Sequence, residues 1–398
     1  MRRRDFFKLS VVASSVVVTN SLNAYKTREP RDNQTISLES FPEKRPLIIH
    51  SDRPPLLETP RDAFTKAITP NDELFVRWHM PHIPTAINME THYLQVHGEV
   101  NERLYLTVEM LKKEFKSHTI TVAMQCGGNS RSAFVPTTSG IQWGSGAMGC
   151  STYKGIKLKD ILARAGLKAD ARWITLNGDD KAVMEKMPHF KRELKISEIS
   201  DETIIAYEQN GEELPFLNGY PLRLIIPGFY SDSWVKMLSD IRVTKEYQKY
   251  YYMDTAYRVP DNADESETPE VHAKSTKPLE FMNVKSYIGY PTPNTKLYAK
   301  TKLTIKGIAF DEGSGIKELL ISLDKGKTWV EATLGEELSK FAFRSFTYRM
   351  KPMNKGKLTI MAKAVNNKGE EQPFAHEIAW NHGGYKYNGI DSVTVSVV

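Results

Sequence analysis

A polar segment at residues 261–277 divides this chain, because it carries many charged side chains and almost no large apolar ones. Such a composition cannot supply a core strand or helix, so it predicts a solvated linker over residues 261–278. At 398 residues the chain also exceeds the length at which a single hydrophobic core keeps growing. We therefore expect two domains, one on each side of this linker.

The part before the linker mixes two periodicities. The strand-like stretches are 93–100, 119–123 and 222–226, and the helix-like stretches are 106–115 and 158–165. This mixture predicts an α+β domain with a mixed sheet over residues 71–260. Residues 25–70 are rich in Pro, Arg and Asp and have weak periodicity, which favours an extended segment on the surface of that domain.

The part after the linker repeats short strand patterns separated by turns. The predicted strands are 302–310, 316–323, 343–350, 357–365 and 393–398, and glycine-containing turns lie at 324–326 and 366–369. This spacing predicts a β-sandwich over residues 279–398.

Charge and cysteine content exclude several classes of protein. The net charge of +6 is spread along the chain and not gathered into a basic arm, which argues against a nucleic-acid partner. Only two cysteines are present, Cys126 and Cys150, so the chain cannot build a disulfide scaffold, a four-thiolate iron–sulfur site or a four-thiolate zinc site. No C-x-x-C-H stretch occurs, so any c-type haem must belong to another polypeptide.

The N-terminus has the layout of a signal peptide, predicted over residues 1–24. Three arginines and the sequence DFFK precede an apolar run at residues 9–18, which is shorter than the ~20 residues of a membrane-spanning helix. The paired arginine, aromatic pair and lysine resemble the signal read by the twin-arginine machinery, which exports folded proteins. We expect a periplasmic protein without stable membrane insertion. The alternative is an ordinary secretory signal or an uncleaved anchor with a basic flank.

Cys126 directly follows a predicted strand and precedes two glycines, with Arg131 five residues on. Glycines allow close approach of the backbone to a bulky group, and an arginine near a thiol lowers its pKa. The spacing alone is equally compatible with a metal-binding thiolate and with a buried or disulfide-bonded cysteine. Cys150 has no comparable neighbours and is interpreted as structural.

Five motifs together carry a resemblance to a known family. The motifs are FVRWH at 75–79, the stretch around Cys126 (AMQCGGNSRS), GIQWG at 140–144, NGYPLRLIIPG at 218–228 and GIKELLISLDKGKTW at 315–329. In that order they resemble the sulfite oxidase family of molybdopterin enzymes. The last of them is similar to the family's immunoglobulin-like dimerisation domain. The resemblance implies a molybdopterin-binding domain of the sulfite oxidase fold followed by this β-sandwich.

The resemblance also implies a role for particular residues. Cys126 would be the one protein ligand of molybdenum, whose other ligands are the pterin dithiolene and oxo groups. Arg77 and Arg131 would bind sulfite as fork-shaped, permanently charged donors. Trp143 would form a wall of the pocket, and Tyr257 would donate a hydrogen bond near the metal. The cofactor-binding residues implied are Phe75, Arg77, His79, Cys126, Asp180, Asn218, Arg223, Ser233, Val235 and Lys236, with backbone amides of 233–235.

The sequence departs from the animal enzymes of the family at several of these places. Trp78, Asn218 and Trp234 stand where those enzymes have Asn, His and His. In the second domain, Ser314 aligns with a further pocket arginine, and Lys317 lies nearby. These differences predict altered pterin contacts and a weaker or differently completed anion site.

The resemblance implies oxidation of sulfite to sulfate at a mononuclear molybdenum-pterin centre, with a separate c-type cytochrome as the electron acceptor. The alternatives are the sulfane dehydrogenase component of a thiosulfate-oxidising complex, a methionine sulfoxide reductase and a non-catalytic binding module. The dimerisation-like sandwich implies a homodimer, and a heterodimer with a haem subunit is the competing arrangement.

Overall fold

The computed structural model describes residues 43–293 and 295–398. The predicted signal peptide and the first part of the predicted extended segment, residues 25–42, lie outside the described residues. Within these limits, none of the helices is both long enough and apolar enough to cross a membrane.

The N-terminal domain contains three sheets and three short α-helices among the described residues. Its strands are β1 (Ile48–Ser51), β2 (Leu56–Glu58), β3 (Val76–Arg77), β4 (Leu94–Gly98), β5 (Leu104–Leu106), β6 (Ser117–Gln125), β7 (Met148–Lys157), β8 (Trp173–Gly178), β9 (Lys191–Lys195), β10 (Ile204–Gln209), β11 (Glu212–Glu213), β12 (Arg223–Ile225) and β13 (Leu238–Thr244). Its helices are α1 (Val108–Glu114), α2 (Leu158–Ala165) and α3 (Tyr251–Asp254).

The larger sheets position the site. One has the order β5-β4-β13-β8-β9 and is mixed, because β4 and β13 run parallel while the other neighbours are antiparallel. The other has the order β11-β10-β7-β6, with β12 also paired to β10, and is antiparallel throughout. The predicted α+β class with a mixed sheet is therefore confirmed.

The two longer helices form where local sequence supports them. The hydroxyl of Thr107 caps α1 by accepting a hydrogen bond from the amide of Met110 at 3.2 Å. Helix α2 buries residues spaced by three and four positions and ends at Gly166, whose positive φ of 66° suits a residue without a side chain. Both helices thus bury one face against the domain core.

The segment between the domains is largely exposed, as its composition predicts, and contacts hold parts of it in place. Strand β14 (Arg258–Pro260) pairs with β15 (Thr276–Pro278) across its base. The carboxylate of Glu265 accepts from Lys386 at 2.5 Å, and the backbone amide of Glu267 donates to the carbonyl of Trp380 at 2.6 Å. Contacts with the second domain therefore hold Glu265 and Glu267 of this exposed segment in place.

The C-terminal domain is a two-sheet sandwich. Its strands are β16 (Lys285–Tyr290), β17 (Lys296–Leu297), β18 (Leu303–Phe310), β19 (Ile316–Ser322), β20 (Val330–Glu331), β21 (Thr333–Leu334), β22 (Arg344–Met350), β23 (Gly356–Asn366) and β24 (Asp391–Val397). The sheet β16-β18-β22-β21 packs on the sheet β17-β24-β23-β19-β20 through a shared apolar core. Alternation is clearest in β24, where three valines are buried and the intervening Ser and Thr are exposed. The predicted sandwich is confirmed.

A buried ion pair joins the two domains. The guanidinium of Arg61 donates to both carboxylate oxygens of Asp391, at 2.8 and 3.1 Å, and to the carbonyl of Ile288 at 2.7 Å. It also lies 3.9 Å from the ring centre of Tyr287. Arg61 belongs to the N-terminal domain and its partners to the sandwich, so this pair fixes their relative orientation.

We expect Asp391→Asn to lower the free energy of unfolding by about 2–3 kcal/mol, because it leaves a largely buried guanidinium without its counter-ion. Denaturant unfolding of the purified protein measures this. The matched control is Asp201→Asn, which removes the exposed partner of Lys159 and should change stability little. Equal effects of the two substitutions would show that the buried pair does not stabilise the domain junction.

Candidate active site

Cys126 lies in the turn that follows β6, and two glycines allow other groups to reach it. Its amide donates to the carbonyl of Ala147 at 2.9 Å, which fixes the turn against β7. A Cβ on Gly127 would lie 2.6 Å from the carboxylate of Asp232, and one on Gly128 would lie 2.5 Å from the guanidinium of Arg131. Larger residues here would push both charged groups away.

Asp232 is the immediate neighbour of the thiol. Its carboxylate lies 3.7 Å from Sγ of Cys126 and accepts from the amide of Gly127 at 2.9 Å. Burial raises the pKa of the Asp232 carboxyl, while Arg192, Arg77 and Arg131 act in the opposite direction. The charges of three guanidinium groups therefore act on the Asp232 carboxylate, and those of Arg77 and Arg131 also act on the Cys126 sulfur.

The sequence predicts that arginine lowers the pKa of the Cys126 thiol, and the structure shows the opposite shift. Burial, followed by the charge of Asp232, raises the pKa of Cys126 to about 12, and the opposing influence of Arg77 and Arg131 is smaller. The difference arises because the fold removes the sulfur atom from water, which the residues next to Cys126 in the sequence do not reveal. A bound metal cation is what would draw a thiolate from such a residue.

Arg77 and Tyr257 contact each other near Cys126. The guanidinium of Arg77 lies 3.4 Å from the hydroxyl of Tyr257, which also forms a short hydrogen bond with Nε2 of His79. Burial and the nearby cations, Arg77 first, hold the pKa of His79 well below its usual value, so its ring is neutral at pH 7. Burial raises the pKa of Tyr257. The pair is therefore an uncharged hydrogen-bonded unit beside an arginine.

Arg131 is held by both domains. Its Nε donates to the carbonyl of Gly383 at 3.1 Å, and one terminal nitrogen donates to the carbonyl of Ile141 at 3.0 Å. Its guanidinium also lies 5.2 Å from the ring centre of Tyr385. Carbonyls and a ring balance the charge, and no carboxylate among residues 43–293 and 295–398 is bonded to it, which leaves it available to an anion.

A small cavity, about 20 Å³ in volume, lies beside Cys126. Seven of the predicted residues line it: Phe75, Arg77, His79, Cys126, Asn218, Arg223 and Lys236. Six more residues complete the lining: Met124, Phe190, Leu217, Ser231, Asp232 and Trp234. The cavity thus combines aromatic walls with several cationic side chains.

The donors in this cavity fit an anionic, hydrogen-bonding cofactor. Nε of Arg223 and Nε1 of Trp234 are buried without a hydrogen-bond partner among the described residues. Unpaired buried donors are costly, so they mark a place where a ligand supplies acceptors. Lys236 adds a further cation, although burial and Arg223 lower its pKa to about 7. Pterin phosphate and ring acceptors match this donor set.

The residues that depart from the animal enzymes have identifiable neighbours. The ring of Trp78 lies beneath Nζ of Lys236, 4.5 Å from ring centre to nitrogen, and its Nε1 donates to the carbonyl of Leu217 at 2.9 Å. The amide of Asn218 is occupied, since it accepts from Lys44 at 2.5 Å and donates to the carbonyl of Phe75 at 3.2 Å. Trp78 therefore supports the cavity wall, and Asn218 ties that wall together.

Several predicted site residues are placed differently from the expectation. The ring of Trp143 packs edge-on against His50 at 4.7 Å and is not among the residues that line the cavity. The hydroxyl of Ser233 accepts from Arg192 at 2.9 Å. The amides of 233–235 donate to carbonyls within their own turn, so they are not free to bind a phosphate. Asp180 is buried beside Lys236, and burial raises its pKa to about 6.

Cys150 lies away from the cavity, at the junction of the two domains. It is buried on β7, and its sulfur accepts from the amide of Phe343 at 3.3 Å. Both cysteines are free thiols in the structure. The position agrees with a structural role for Cys150 and separates it from Cys126.

Arg192 and Tyr385 were missed by the sequence analysis. Arg192 is buried, donates to Ser233, and lies 5.5 Å from the ring centre of Tyr257. The hydroxyl of Tyr385 accepts from the amide of Tyr257 at 3.3 Å. Arg192 could have been noticed from its spacing, because it alternates with Phe190, just before β9, and with Leu194 in β9. Tyr385 comes from the second domain, and nothing in its local sequence marks it.

Ser314, which aligns with a further pocket arginine of the animal enzymes, and the nearby Lys317 both have partners elsewhere in the second domain. The hydroxyl of Ser314 donates to Asp311, and Lys317 is exposed and pairs with Glu318. Neither residue lines the cavity at Cys126. Arg192 from the first domain provides the third guanidinium near Asp232.

Lys285 supports the turn that carries Arg131. Its ammonium donates to the hydroxyl of Ser130 at 2.7 Å and to the carbonyl of Tyr387 at 3.1 Å. Burial lowers its pKa to about 7. In the unfolded chain the residue loses its proton only near pH 10. Between about pH 7 and this value, the unfolded state therefore binds one more proton than the folded state. The contribution of Lys285 to stability therefore rises with pH across this window.

We expect the difference in unfolding free energy between the wild type and Lys285→Met to increase by roughly 3–5 kcal/mol from pH 7 to pH 10. Denaturant unfolding at a series of pH values measures it. Parallel stability curves for the two proteins would contradict the shifted pKa of Lys285.

Comparison with known proteins gives a consistent picture. The model for the oxidoreductase molybdopterin binding domain matches residues 79–252, and the model for the Mo-co oxidoreductase dimerisation domain matches residues 276–397. Mitochondrial sulfite oxidase of Mus musculus is 29% identical over 99% of this chain and 75% of its own length. Sulfite oxidase of Arabidopsis thaliana is 27% identical over 85% of this chain and 91% of its own.

A solved structure supports the architecture. The sulfane dehydrogenase SoxCD from Paracoccus pantotrophus aligns with a TM-score of 0.76 at 23% identity, covering 94% of this chain and 95% of that chain. At this identity the likeness establishes the arrangement of both domains. The two matched family models correspond to the two domains seen in the structure.

Proposed function

Because the chain belongs to the sulfite oxidase family of molybdopterin oxidoreductases, we propose that it oxidises sulfite to sulfate and passes the electrons to a separate c-type cytochrome. The observation that carries this proposal is the group of three arginines, Arg77, Arg131 and Arg192, around Cys126 and Asp232. Such a group has an excess of positive charge in a buried site. It suits a small oxyanion bound close to the metal.

The cofactor is the molybdenum-molybdopterin group. When bound, it supplies a redox-active metal that accepts two electrons from the substrate. Cys126 would bind the metal, while Arg223, Lys236 and Trp234 would hold the pterin and its phosphate from the cavity walls. His79 and Arg77 line the same cavity and would contact the cofactor as well.

The chain's own residues would orient the substrate and move protons. Conversion of sulfite to sulfate takes one oxygen atom from water and releases two electrons and two protons. Arg77 and Arg131 would bind the sulfite oxygens and turn the sulfur atom toward the metal. The hydrogen bond between Tyr257 and the neutral ring of His79 offers a path along which a proton can leave.

The electron acceptor is proposed to be a separate protein. The sequence has no haem attachment motif, and its two cysteines cannot hold an iron–sulfur cluster of their own. We propose that the two electrons leave the metal for a partner protein. A c-type cytochrome of the periplasm suits a chain whose N-terminus resembles a twin-arginine signal. Substitution of Arg3 and Arg4 by lysine should leave the protein in the cytoplasmic fraction if this signal operates.

The assembly is proposed to be a dimer. The C-terminal domain matches the Mo-co oxidoreductase dimerisation domain over residues 276–397, which supports pairing through the sandwich. A homodimer and a heterodimer with a haem subunit remain the two forms. Measurement of molecular mass with and without the cytochrome distinguishes them.

The proposal is tested by sulfite-dependent reduction of a c-type cytochrome, with molybdenum measured on the same preparation. Rapid reduction with about one molybdenum per chain is the expected result. Full molybdenum content without any response to sulfite would overturn the proposed substrate. In that case, protein-bound sulfur, as for a sulfane dehydrogenase, and methionine sulfoxide become the compounds to assay. A preparation without molybdenum or pterin from a molybdenum-replete host would contradict the enzyme assignment itself.

A further inference from the structure

Three potential metal ligands from distant parts of the chain meet at the surface beside the second domain. Glu267 and His272 lie in the segment between the domains, and His382 lies in a loop of the sandwich. One potential ligand atom from each residue lies within 4.8 Å of the others. The group shares no residue with the cavity at Cys126.

Glu267 is held firmly at the centre of this group. Its two carboxylate oxygens accept from the amides of Ala273 and His382, at 2.8 and 2.9 Å. Its side chain is only 7% exposed. Each carboxylate oxygen retains a second lone pair after accepting one hydrogen bond. The carboxylate is therefore pre-positioned and still able to bind a cation.

The two histidines lack the partners that would explain their positions. Their rings stack at 3.7 Å between centres, and Nε2 of His382 is buried without a hydrogen-bond partner among the described residues. Nδ1 of His272 lies 3.8 Å from the nearer carboxylate oxygen of Glu267. That separation is too long for a hydrogen bond. It is near the roughly 3.4 Å expected between two ligands of a tetrahedral zinc ion with bonds of about 2.1 Å.

We propose that Glu267, His272 and His382 form a second metal site, which binds a divalent transition-metal cation of the zinc type. Two imidazole nitrogens and one carboxylate oxygen favour zinc over magnesium or calcium, which prefer oxygen ligands throughout. To bond the same ion as His382, the exposed His272 ring would rotate out of its stack with His382. The three protein ligands leave one position for water.

An ion at this site would join the segment between the domains to a loop that contacts the active site. The residue after His382 is Gly383, whose carbonyl accepts from Nε of Arg131 at 3.1 Å. Further along the same loop, the amide of Lys386 donates to the carbonyl of Gly127, next to Cys126, at 3.1 Å. The cation would thus tie the segment between the domains to the loop that holds Arg131, and it would stabilise the folded protein by mass action.

The test is zinc binding by the full-length, cofactor-loaded protein. Equilibrium dialysis against micromolar Zn²⁺, followed by metal analysis, compares the wild type with His272→Ala, His382→Ala and the control His376→Ala. His376 is exposed and lies outside the group. We expect the wild type and the control to bind one more zinc per chain than the other two variants. Their melting temperatures should also rise on addition of zinc, while those of the two variants should not.

The choice of His272 keeps the test independent of folding, because this side chain is 78% exposed and its removal leaves the hydrogen bonds of Glu267 intact. Equal zinc content in all four proteins would overturn the proposal, as would a wild type that binds no additional zinc. Neither result depends on turnover, so the outcome is separate from that of the sulfite assay.

Discussion

Replacement of Cys126 by serine is expected to reduce sulfite-dependent turnover by roughly 10³-fold or more, which corresponds to at least about 4 kcal/mol of transition-state stabilisation. A thiolate is a soft, strongly donating ligand, whereas a serine hydroxyl stays protonated at neutral pH and is a poor ligand for the metal. The metal would lose its one protein ligand and its redox potential would shift away from that of the substrate couple.

The fold should survive this substitution. Serine is close in size to cysteine, and the turn is fixed by backbone hydrogen bonds, in which the amide of Cys126 donates to Ala147 and its carbonyl accepts from Asn129. Pterin should remain bound as well, since Arg223 and Lys236 on the cavity wall are unchanged. Circular dichroism and pterin fluorescence after denaturation check these two expectations.

The matched control is Cys150→Ser, which changes the other buried cysteine at the domain junction. It should cost some stability and leave turnover per molybdenum close to that of the wild type. If Cys126→Ser instead turned over at the wild-type rate, the assignment of Cys126 as the metal ligand would be wrong.

Replacement of Arg131 by glutamine is expected to lower kcat/KM for sulfite by about 100-fold, equivalent to roughly 2.7 kcal/mol. The guanidinium is largely buried, and no carboxylate is bonded to it in the structure. Removing it takes away a charged donor that would otherwise contact the substrate in a site with little solvent. Most of the loss should be a higher KM, because the residue binds the anion in both ground and transition states.

A purely structural role for Arg131 would give a different pattern. Its hydrogen bonds to Gly383 and Ile141 connect the two domains, so a structural defect would lower the melting temperature and the molybdenum content. Steady-state kinetics normalised to molybdenum separate the two cases. Arg131→Lys, which keeps the charge but not the fork geometry, should recover part of the affinity.

The control for this experiment is Arg103→Gln, a change at an exposed arginine of the same domain. It should alter neither KM nor kcat. An unchanged KM for sulfite in Arg131→Gln would remove this residue from the anion site and leave Arg77 and Arg192 to bind the substrate.

Local sequence identified some of the elements of both domains and singled out Cys126, but it did not predict strands β7, β13 and β16. The strand predicted at 393–398 corresponds to β24, and the helix predicted at 158–165 corresponds to α2, because alternation and helical spacing report which face of a segment is buried. Cys126 could be singled out because a cysteine, two glycines and an arginine lie within one turn. The resemblance to a family then supplied the cofactor, which no periodicity could indicate.

Only the tertiary structure decided how the site is completed. Asp232, Arg192 and Tyr385 approach Cys126 and Tyr257 from a turn, a strand and the second domain, which are far apart along the chain. The pKa of the Cys126 thiol likewise depends on how completely these elements exclude water from it. Sequence patterns indicate which face of a helix or strand is buried. They do not indicate the neighbours of a loop side chain, because these depend on how separate elements pack.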